Sequence, residues 1–217
     1  MGIEEPEHYD MAYLVSHMND KSWASFVASH HPDILEDFSP EEVPIASAAL
    51  AYPLVNKIVK MEPSNESFEL NMCLIDITRY GISYCKYSEI KDLNQSNRRL
   101  LIGVEGDLYR LLGKAMVNCG RYSSALHYLD EAGKLFKSVL LFPDISDSDV
   151  RDTMISYEMS RADEALVYLQ LIPVVSDDEK RLMATFAHSY LDHAISNLIT
   201  MGAEEYESYS SSYKLAI

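Results

Sequence analysis

Glycine and proline are both scarce in this sequence, with only 8 of each among 217 residues. An all-β fold needs many tight turns, and tight turns rely on these two residues, so their scarcity argues against a sheet protein. The chain also lacks an apolar run of the roughly 20 residues that a membrane-spanning helix requires. We therefore predict a globular all-α protein that does not bind to or span a membrane.

Cysteine is rare as well. Cys73, Cys85 and Cys119 are not at CxxC spacing, and all three fall inside helical patterns. We interpret them as reduced core residues of a cytoplasmic protein. The acidic residues at the start of the chain are also unlike the basic beginning of a signal peptide.

The sequence signatures of catalysis are missing. The pairs His30/His31 and His188/His193 lack metal-ligand spacing and have no set of carboxylates or cysteines around them. The chain has no glycine-rich phosphate loop, no GxSxG elbow and no HExxH motif. We therefore expect no metal, no cofactor and no enzymatic activity.

Positive charge is in short supply. The chain has 18 Lys and Arg against 34 Asp and Glu, for a formal net charge of −16. Binding to phosphate backbones requires a dense cationic surface, so nucleic acid is excluded as an expected partner. A basic or mixed-charge segment of another protein fits this composition better.

Helix start and stop signals divide the chain into about nine helices. Ser39, Pro40 and Glu42 predict one N-terminus, and Ser176 with Glu179 predicts another, because each set can form a capping box. The short connections favour antiparallel neighbours stacked in pairs, within one domain of residues 1–217. The predicted helices run over about 7–18, 20–31, 39–61, 64 to beyond 84, 95–119, 121–139, from the polar segment 144–149 to before 173, 176–201, and from 202 to the C-terminus.

The segment 105–136 has the pattern of a helical hairpin turning at Gly120. Ala115, Ala125 and Ala132 fall at helical spacing among leucines, as expected where two helices touch. Several positions also fit a tetratricopeptide unit, but no second copy follows at the expected period of about 34 residues. A tetratricopeptide-type scaffold that binds unphosphorylated protein partners remains the alternative interpretation.

Three segments in the right order resemble the 14-3-3 family. The run 106–112, GDLYRLL, resembles the GDYYRYL of that family's fifth helix. The segment 38–42, FSPEE, followed by Ala51-Tyr52, resembles the opening of its third helix, and 192–215 resembles its C-terminal region. The resemblance implies nine stacked helices, a cytoplasmic homodimer, and an adaptor that binds phosphoserine or phosphothreonine segments of client proteins in a groove.

The resemblance also assigns candidate phosphopeptide-binding residues. Arg110 matches the arginine of the fifth helix and Asp107 the aspartate before it, but Leu111 replaces a tyrosine and Gly103 replaces a lysine. These changes imply a degenerate phosphate pocket. In the family, an asparagine of the seventh helix holds the peptide backbone. Asp163 is the candidate for that position in this sequence.

The third helix of the family supplies a lysine and an arginine. Alignment on Ala51-Tyr52 places Pro53 at the lysine and Lys60 at the arginine, whereas an ungapped alignment places Ala51 and Ile58 there. Lys60 is therefore a further candidate.

The basic residues can also be considered without the resemblance. The spacing of Arg99, Arg110 and Lys114 brings them within about 60° of one another on a helix surface. They form either a phosphate site or solvated side chains that pair with acids such as Glu105 and Asp107.

The resemblance implies a dimer contact for the first helices. Tyr13, Leu14 and Trp23 would pack against a second copy, with Tyr80 and Tyr84 opposite. Alternatively, they close the protein's own core.

Overall fold

The computed structural model describes residues 6, 8–20, 22–88, 94–204, 207, 209 and 210. Over these residues the chain forms eight α-helices and one short 3-10 helix, and contains no strand, which confirms the predicted all-α class. The helices are α1 (Met11–His17), α2 (Trp23–Glu36), α3 (Val43–Ile58), α4 (Asn65–Ser88), α5 (Gln95–Asn118), α6 (Tyr122–Leu140), α7 (Asp147–Leu171), the 3-10 helix Ile172–Val174, and α8 (Asp177–Thr200).

Capping side chains start the later helices close to where the sequence predicts. The side chain of Asn94 accepts a hydrogen bond from the Asn97 amide at the start of α5, and Ser146 accepts one from the Asp149 amide at the start of α7. The predicted capping box of Ser176 and Glu179 is present at the start of α8. Each cap satisfies an amide that has no partner within its helix.

The first three helices differ from the prediction. Helix α1 starts at residue 11 because the side chain of Asp10 caps it by accepting from the Tyr13 amide. Helix α2 continues through Pro32 to residue 36, and the burial of Ile34 and Leu35 anchors its last turn. The bonds from Ser39 to the Glu42 carboxylate do form, but they close a turn, and α3 begins only at residue 43.

Helices α5 and α6 form the predicted hairpin. Gly120 has a φ of +67°, and the amides of Gly120 and Arg121 donate to the carbonyls of Val117 and Met116, which is a Schellman motif. The two helices approach closely at Gly113, where an added Cβ would lie 2.8 Å from Cγ of Leu129. The predicted small residues of this interface, Ala115, Ala125 and Ala132, are all buried.

Each helix packs mainly on its neighbours in the chain, and α6 packs extensively on both α5 and α7. One core cluster joins α1 to α6, and a second joins α7, α8 and Tyr209. Helix α6 thus lies against both α5 and α7. Residues of these three helices line two cavities, and we call the surface that α5, α6 and α7 form around them the groove.

Leu14 and Trp23 lie in the larger core. Both are fully buried, and the indole ring of Trp23 packs edge-on against Tyr13 with ring centroids 6.0 Å apart. These two residues therefore close the protein's own core, which is the second of the two alternatives considered for them.

Among the described residues, no helix has the length and apolar character needed to cross a membrane. The ninth helix predicted after residue 202 lies mostly outside the described residues and stays a prediction.

Candidate functional site

One end of the groove opens into a cavity of about 670 Å³, which we call the main cavity. Its apolar wall comes from α3, α7 and the 3-10 helix, and its polar side comes from α5, α7 and the C-terminal segment. The apolar lining includes Val55, Val59, Leu166, Ile172 and Pro173, and the polar lining is Lys114, Asn118, Asp163, Gln170 and Tyr209. The cavity therefore has the mixed character of a ligand site.

A buried charge cluster forms the polar side of the main cavity. The Asp163 carboxylate accepts a hydrogen bond from Nε of Arg110 at 2.9 Å, from Nζ of Lys114 at 3.1 Å and from the Tyr209 hydroxyl at 2.9 Å. The side chains of Arg110 and Asp163 are only 6% and 5% exposed, whereas that of Lys114 is 27% exposed. Lys114 is thus the cation of this cluster that an incoming ligand can reach.

The cluster holds its members in defined protonation states. Burial opposes ionisation of Asp163, but the charges of Lys114 and Arg110 and the hydrogen bonds outweigh it, so the pKa of the carboxyl lies below its ordinary value. Burial and the negative charge of Asp163 raise the pKa of Tyr209, so its phenol stays protonated and donates. The site is therefore an ionised carboxylate held between two cations and one neutral hydroxyl.

Secondary structure places these groups together. Arg110 and Lys114 lie one turn apart on α5, so that both reach towards the facing α7. Asp163 lies on α7, which is tied to α6 by a hydrogen bond from the Ser160 hydroxyl to the Leu129 carbonyl. The adjacent Tyr209 follows the turn at Gly202, where φ is +66°.

The structure gives a different partner for Arg110 from those considered at the sequence level. The guanidinium bonds to Asp163, 53 residues further along the chain, and not to Glu105 or Asp107 of its own helix. Arg110 also does not line the main cavity, whereas Lys114 does. The nearby Leu111 is buried in the core.

The other predicted cations lie apart from this cluster. Lys60 is exposed in the turn after α3 and is not among the residues that line the main cavity. Lys57 bonds to Glu66 and to the Ser25 hydroxyl, both at 2.7 Å. Arg99 bonds to Asp149 at 2.7 Å and to the Asp144 carbonyl at 3.0 Å.

Asp107 lies in a second cavity of about 370 Å³ at the other end of the α5 and α7 walls. Its Oδ1 atom is buried and has no hydrogen-bond partner among the described residues. Burial raises the pKa of Asp107 to about 6, although the charge of Arg110 acts in the opposite direction. We call this space the second cavity; Arg99, Gly103, Asp149 and Asp152 also line it.

Sequence reasoning missed Tyr209 and the carboxylates of the second cavity. Tyr209 is not among the predicted site residues, yet it is buried and bonds to a residue 46 positions earlier. No local spacing encodes such a contact. The acids of the segment 144–149 were interpreted only as a polar connection, but Asp149 faces Arg99 on α5.

In comparisons with protein-family models, curated proteins and solved structures, the chain gave no match. The resemblance to the 14-3-3 family therefore rests on the three sequence segments described above.

Proposed function

We propose that this protein is a 14-3-3-like adaptor that holds an extended segment of a client protein in the groove. A phosphoserine or phosphothreonine of that segment would contact Lys114 in the main cavity. The observation that carries the proposal is the partly exposed Lys114 beside buried Arg110 and Asp163, at the edge of a cavity with an apolar wall.

The lining suits a peptide. The apolar wall offers surface for side chains of the segment, while Asn118 and Gln170 carry amides that can bond to its backbone. A cavity of about 670 Å³ lies within the range of roughly 300–1,000 Å³ found for ligand pockets.

Charge supports a phosphorylated segment. The cluster holds two cations and one carboxylate, and hence one net positive charge in a chain whose net charge is −16. A phosphate group carries about −1.5 to −2 charges and three acceptor oxygens. It would bond to Lys114 and compete with Asp163 for that ammonium group.

One observation favours a second candidate, a scaffold that binds unphosphorylated segments. Asp163 already accepts hydrogen bonds from both cations, which makes it an internal substitute for an anionic ligand. If this arrangement persists in the complex, the apolar wall would provide most of the affinity and phosphate would add little.

A charge-removal experiment separates the two candidates. We expect Lys114→Gln to weaken the binding of a phosphoserine peptide by about tenfold, because a charge-assisted hydrogen bond contributes roughly 1.5–3 kcal/mol. The matched control is Lys134→Gln on α6, since Lys134 is an exposed lysine that pairs with its near neighbours Asp130 and Glu131. Fluorescence anisotropy measures both variants; equal affinity of Lys114→Gln and wild type for the phosphopeptide supports the second candidate.

A further inference from the structure

We propose that three aromatic side chains on α7 and α8 bind a trimethylated lysine side chain of a partner protein. We call these three residues, Tyr168, Phe186 and Tyr190, the aromatic cluster. None of them belongs to the lining of the main cavity or of the second cavity. The site is therefore separate from the residues that carry the proposed function, and its test does not depend on phosphate binding.

The first argument is the geometry of the aromatic cluster. The ring centroids of Tyr168 and Phe186 lie 6.4 Å apart, and the two ring planes are inclined by 28°. The centroids of Phe186 and Tyr190 lie 6.2 Å apart, and these planes are inclined by 70°. At such separations one cation can lie within about 6 Å of all three centroids, which is the range of the cation–π attraction. Two rings of similar orientation and a third turned across them thus form the sides of an aromatic cage.

Helical spacing brings the three rings together and leaves them within reach of a ligand. Phe186 and Tyr190 lie one turn apart on α8, and Tyr168 comes from α7, which packs closely against α8. Phe186 is 46% exposed, so that a group from solution can reach its ring. Leu182, one turn earlier on α8, is also exposed and offers apolar surface for the methylene stem of a lysine.

The second argument is that rings in this part of the structure already bind a cation of the protein itself. Cζ of Arg161 lies 4.6 Å from the ring centroid of Tyr190 and 5.7 Å from that of Tyr157. Among the described residues, no Lys or Arg lies over the ring of Tyr168 or Phe186. The cluster therefore has one ring that is already in a cation–π contact and two rings that can accept a further cation.

The third argument is a carboxyl group beside the rings. Glu164 accepts a hydrogen bond from the Tyr168 hydroxyl at 3.4 Å, and it forms no ion pair within the part of the chain that the structure describes. Nη1 of the neighbouring Arg161 lies 4.0 Å from Oε2 of Glu158, so its charge is shared with that carboxylate. Burial raises the pKa of Glu164, although the bond from Tyr168 and the charge of Arg161 act in the opposite direction. A bound ammonium group would supply the counter-charge that Glu164 lacks.

A trimethylated lysine fits this site better than an unmodified lysine does. An ordinary ammonium group is strongly hydrated and loses hydrogen bonds to water when aromatic rings cover it. A quaternary ammonium group has no N–H to solvate, and aromatic cages recognise such groups through the ring faces. The net charge of −16 also attracts basic segments of proteins, which favours a lysine side chain as the source of this group.

The test is an NMR titration of the full chain with capped amino acids that differ only at the end of the side chain. The probes are trimethyl-lysine, lysine and a neutral isostere in which carbon replaces the quaternary nitrogen, and signals of Phe186 and Leu182 report on the site. Trimethyl-lysine should bind saturably and about tenfold more tightly than either control, the effect of a cation–π contact. A ratio below about twofold against the isostere, which is less than a weak cation–π contact gives, overturns the proposal, as does the absence of saturable binding.

Two variants test the assignment to these residues. Phe186→Leu keeps an apolar side chain but removes the central ring, so it should lower the affinity for trimethyl-lysine to that for the neutral isostere. Glu164→Gln removes the counter-charge and should lower the affinity about threefold, the effect of a partly exposed charge pair. The matched control is Phe68→Leu at an exposed phenylalanine of α4, which should bind like wild type. If the preference for trimethyl-lysine survives in Phe186→Leu, or is lost equally in Phe68→Leu, the proposal is wrong.

Choline distinguishes a protein side chain from a free small molecule as the source of the quaternary ammonium group. Its stem is two methylene groups shorter than that of trimethyl-lysine, so it buries less apolar surface against Leu182 and should bind at least about threefold less tightly. Choline that binds as tightly as the capped trimethyl-lysine, or more tightly, would overturn the assignment to a partner protein.

Discussion

The Asp163 carboxylate of α7 accepts hydrogen bonds from Lys114 and Arg110 of α5 and from Tyr209 of the C-terminal segment. If a client phosphate competes with this carboxylate for the two cations, the negative charge of Asp163 lowers the affinity of the site for the phosphate. The same charge stabilises the free protein, because it compensates the buried guanidinium of Arg110. Stability of the empty site and affinity for an anion are therefore opposed at this residue.

Asp163→Asn should consequently bind a phosphoserine peptide about tenfold more tightly than wild type, because Lys114 and Arg110 lose their competing charge. The free energy of unfolding of the free variant should fall by about 3 kcal/mol, since a buried cation loses its partner. Calorimetric titration and urea denaturation measure the two effects, with Asp130→Asn on the exposed face of α6 as the control. Weaker phosphopeptide binding by the variant would contradict the competition.

Asp107 gives a prediction about pH. Its pKa is about 6 in the folded protein, above the ordinary value of 3.8. Between these values the folded state binds more protons than the unfolded state, so stability from this group is complete below about pH 4 and falls as the pH rises to about 6. Asp107→Asn should remove that fall and increase the free energy of unfolding at pH 7.5 by about 2 kcal/mol, after allowance for the partial exposure of the residue.

Denaturation of wild type and Asp107→Asn at pH 4 and pH 7.5 checks this prediction. The difference in the free energy of unfolding between the two proteins separates the effect of Asp107 from that of the other carboxylates. The lowered pKa of Asp163 has the opposite effect on stability and acts at lower pH. The stability that Asp163 contributes is present above its ordinary pKa and is lost as the pH falls through its lower pKa in the folded protein. A variant less stable than wild type at pH 7.5 would show that Asp107 has a partner in the free protein.

At the scale of the elements, the α5–α6 hairpin depends on close approach at one glycine. Gly113→Ala would place a Cβ 2.8 Å from Cγ of the buried Leu129. The resulting strain should lower the free energy of unfolding by about 1–3 kcal/mol. Gly103→Ala in the same helix meets no atom closer than 4.0 Å and should be neutral or raise stability by up to about 1 kcal/mol.

Urea denaturation of these two variants provides a matched comparison, because both replace a glycine inside α5 with the same residue. Equal effects on stability would mean that the helices do not approach each other as closely at residue 113 as the structure shows.

Helix boundaries were predictable from sequence where the signals are local. The caps of α5, α7 and α8 involve residues three apart, and these helices start close to the predicted positions. The end of α2 was predicted less well because tertiary contacts decide it, through the burial of Ile34 and Leu35 beyond Pro32. A proline signals a helix end only when nothing else holds the following turn.

The candidate site was likewise predictable only where its residues lie close together in the sequence. The spacing of Arg110 and Lys114 was visible in the sequence because both lie on one helix. Their pairing with Asp163 and Tyr209 was not, because those contacts span 46 to 53 residues. Oδ1 of Asp107 has no hydrogen-bond partner within the described part of the chain, and only the folded structure shows this, because it depends on which side chains surround the atom.

At the scale of the whole molecule, an exposed apolar face on α4 provides a test of the homodimer that the resemblance implies. Phe68, Met72 and Tyr80 are 59%, 40% and 42% exposed on this helix. We expect a dimer at micromolar concentration in sedimentation equilibrium and a monomer for Phe68→Glu combined with Met72→Glu, since the charges would oppose burial of this face. Leu182→Glu, at an exposed leucine of α8, is the control and should remain dimeric.

A wild-type protein that is monomeric at these concentrations would contradict the dimer that the resemblance implies, without affecting the proposal for the groove. A double variant that remains dimeric would place the contact on another face.

The central claim is that the groove distinguishes a phosphorylated client segment from the same segment without phosphate. The most direct measurement is the ratio of dissociation constants, in anisotropy titrations at one salt concentration, for a serine peptide and its phosphoserine form. We predict at least about tenfold tighter binding of the phosphorylated peptide, the effect of one charge-assisted hydrogen bond. Equal dissociation constants for the two peptides would contradict the claim.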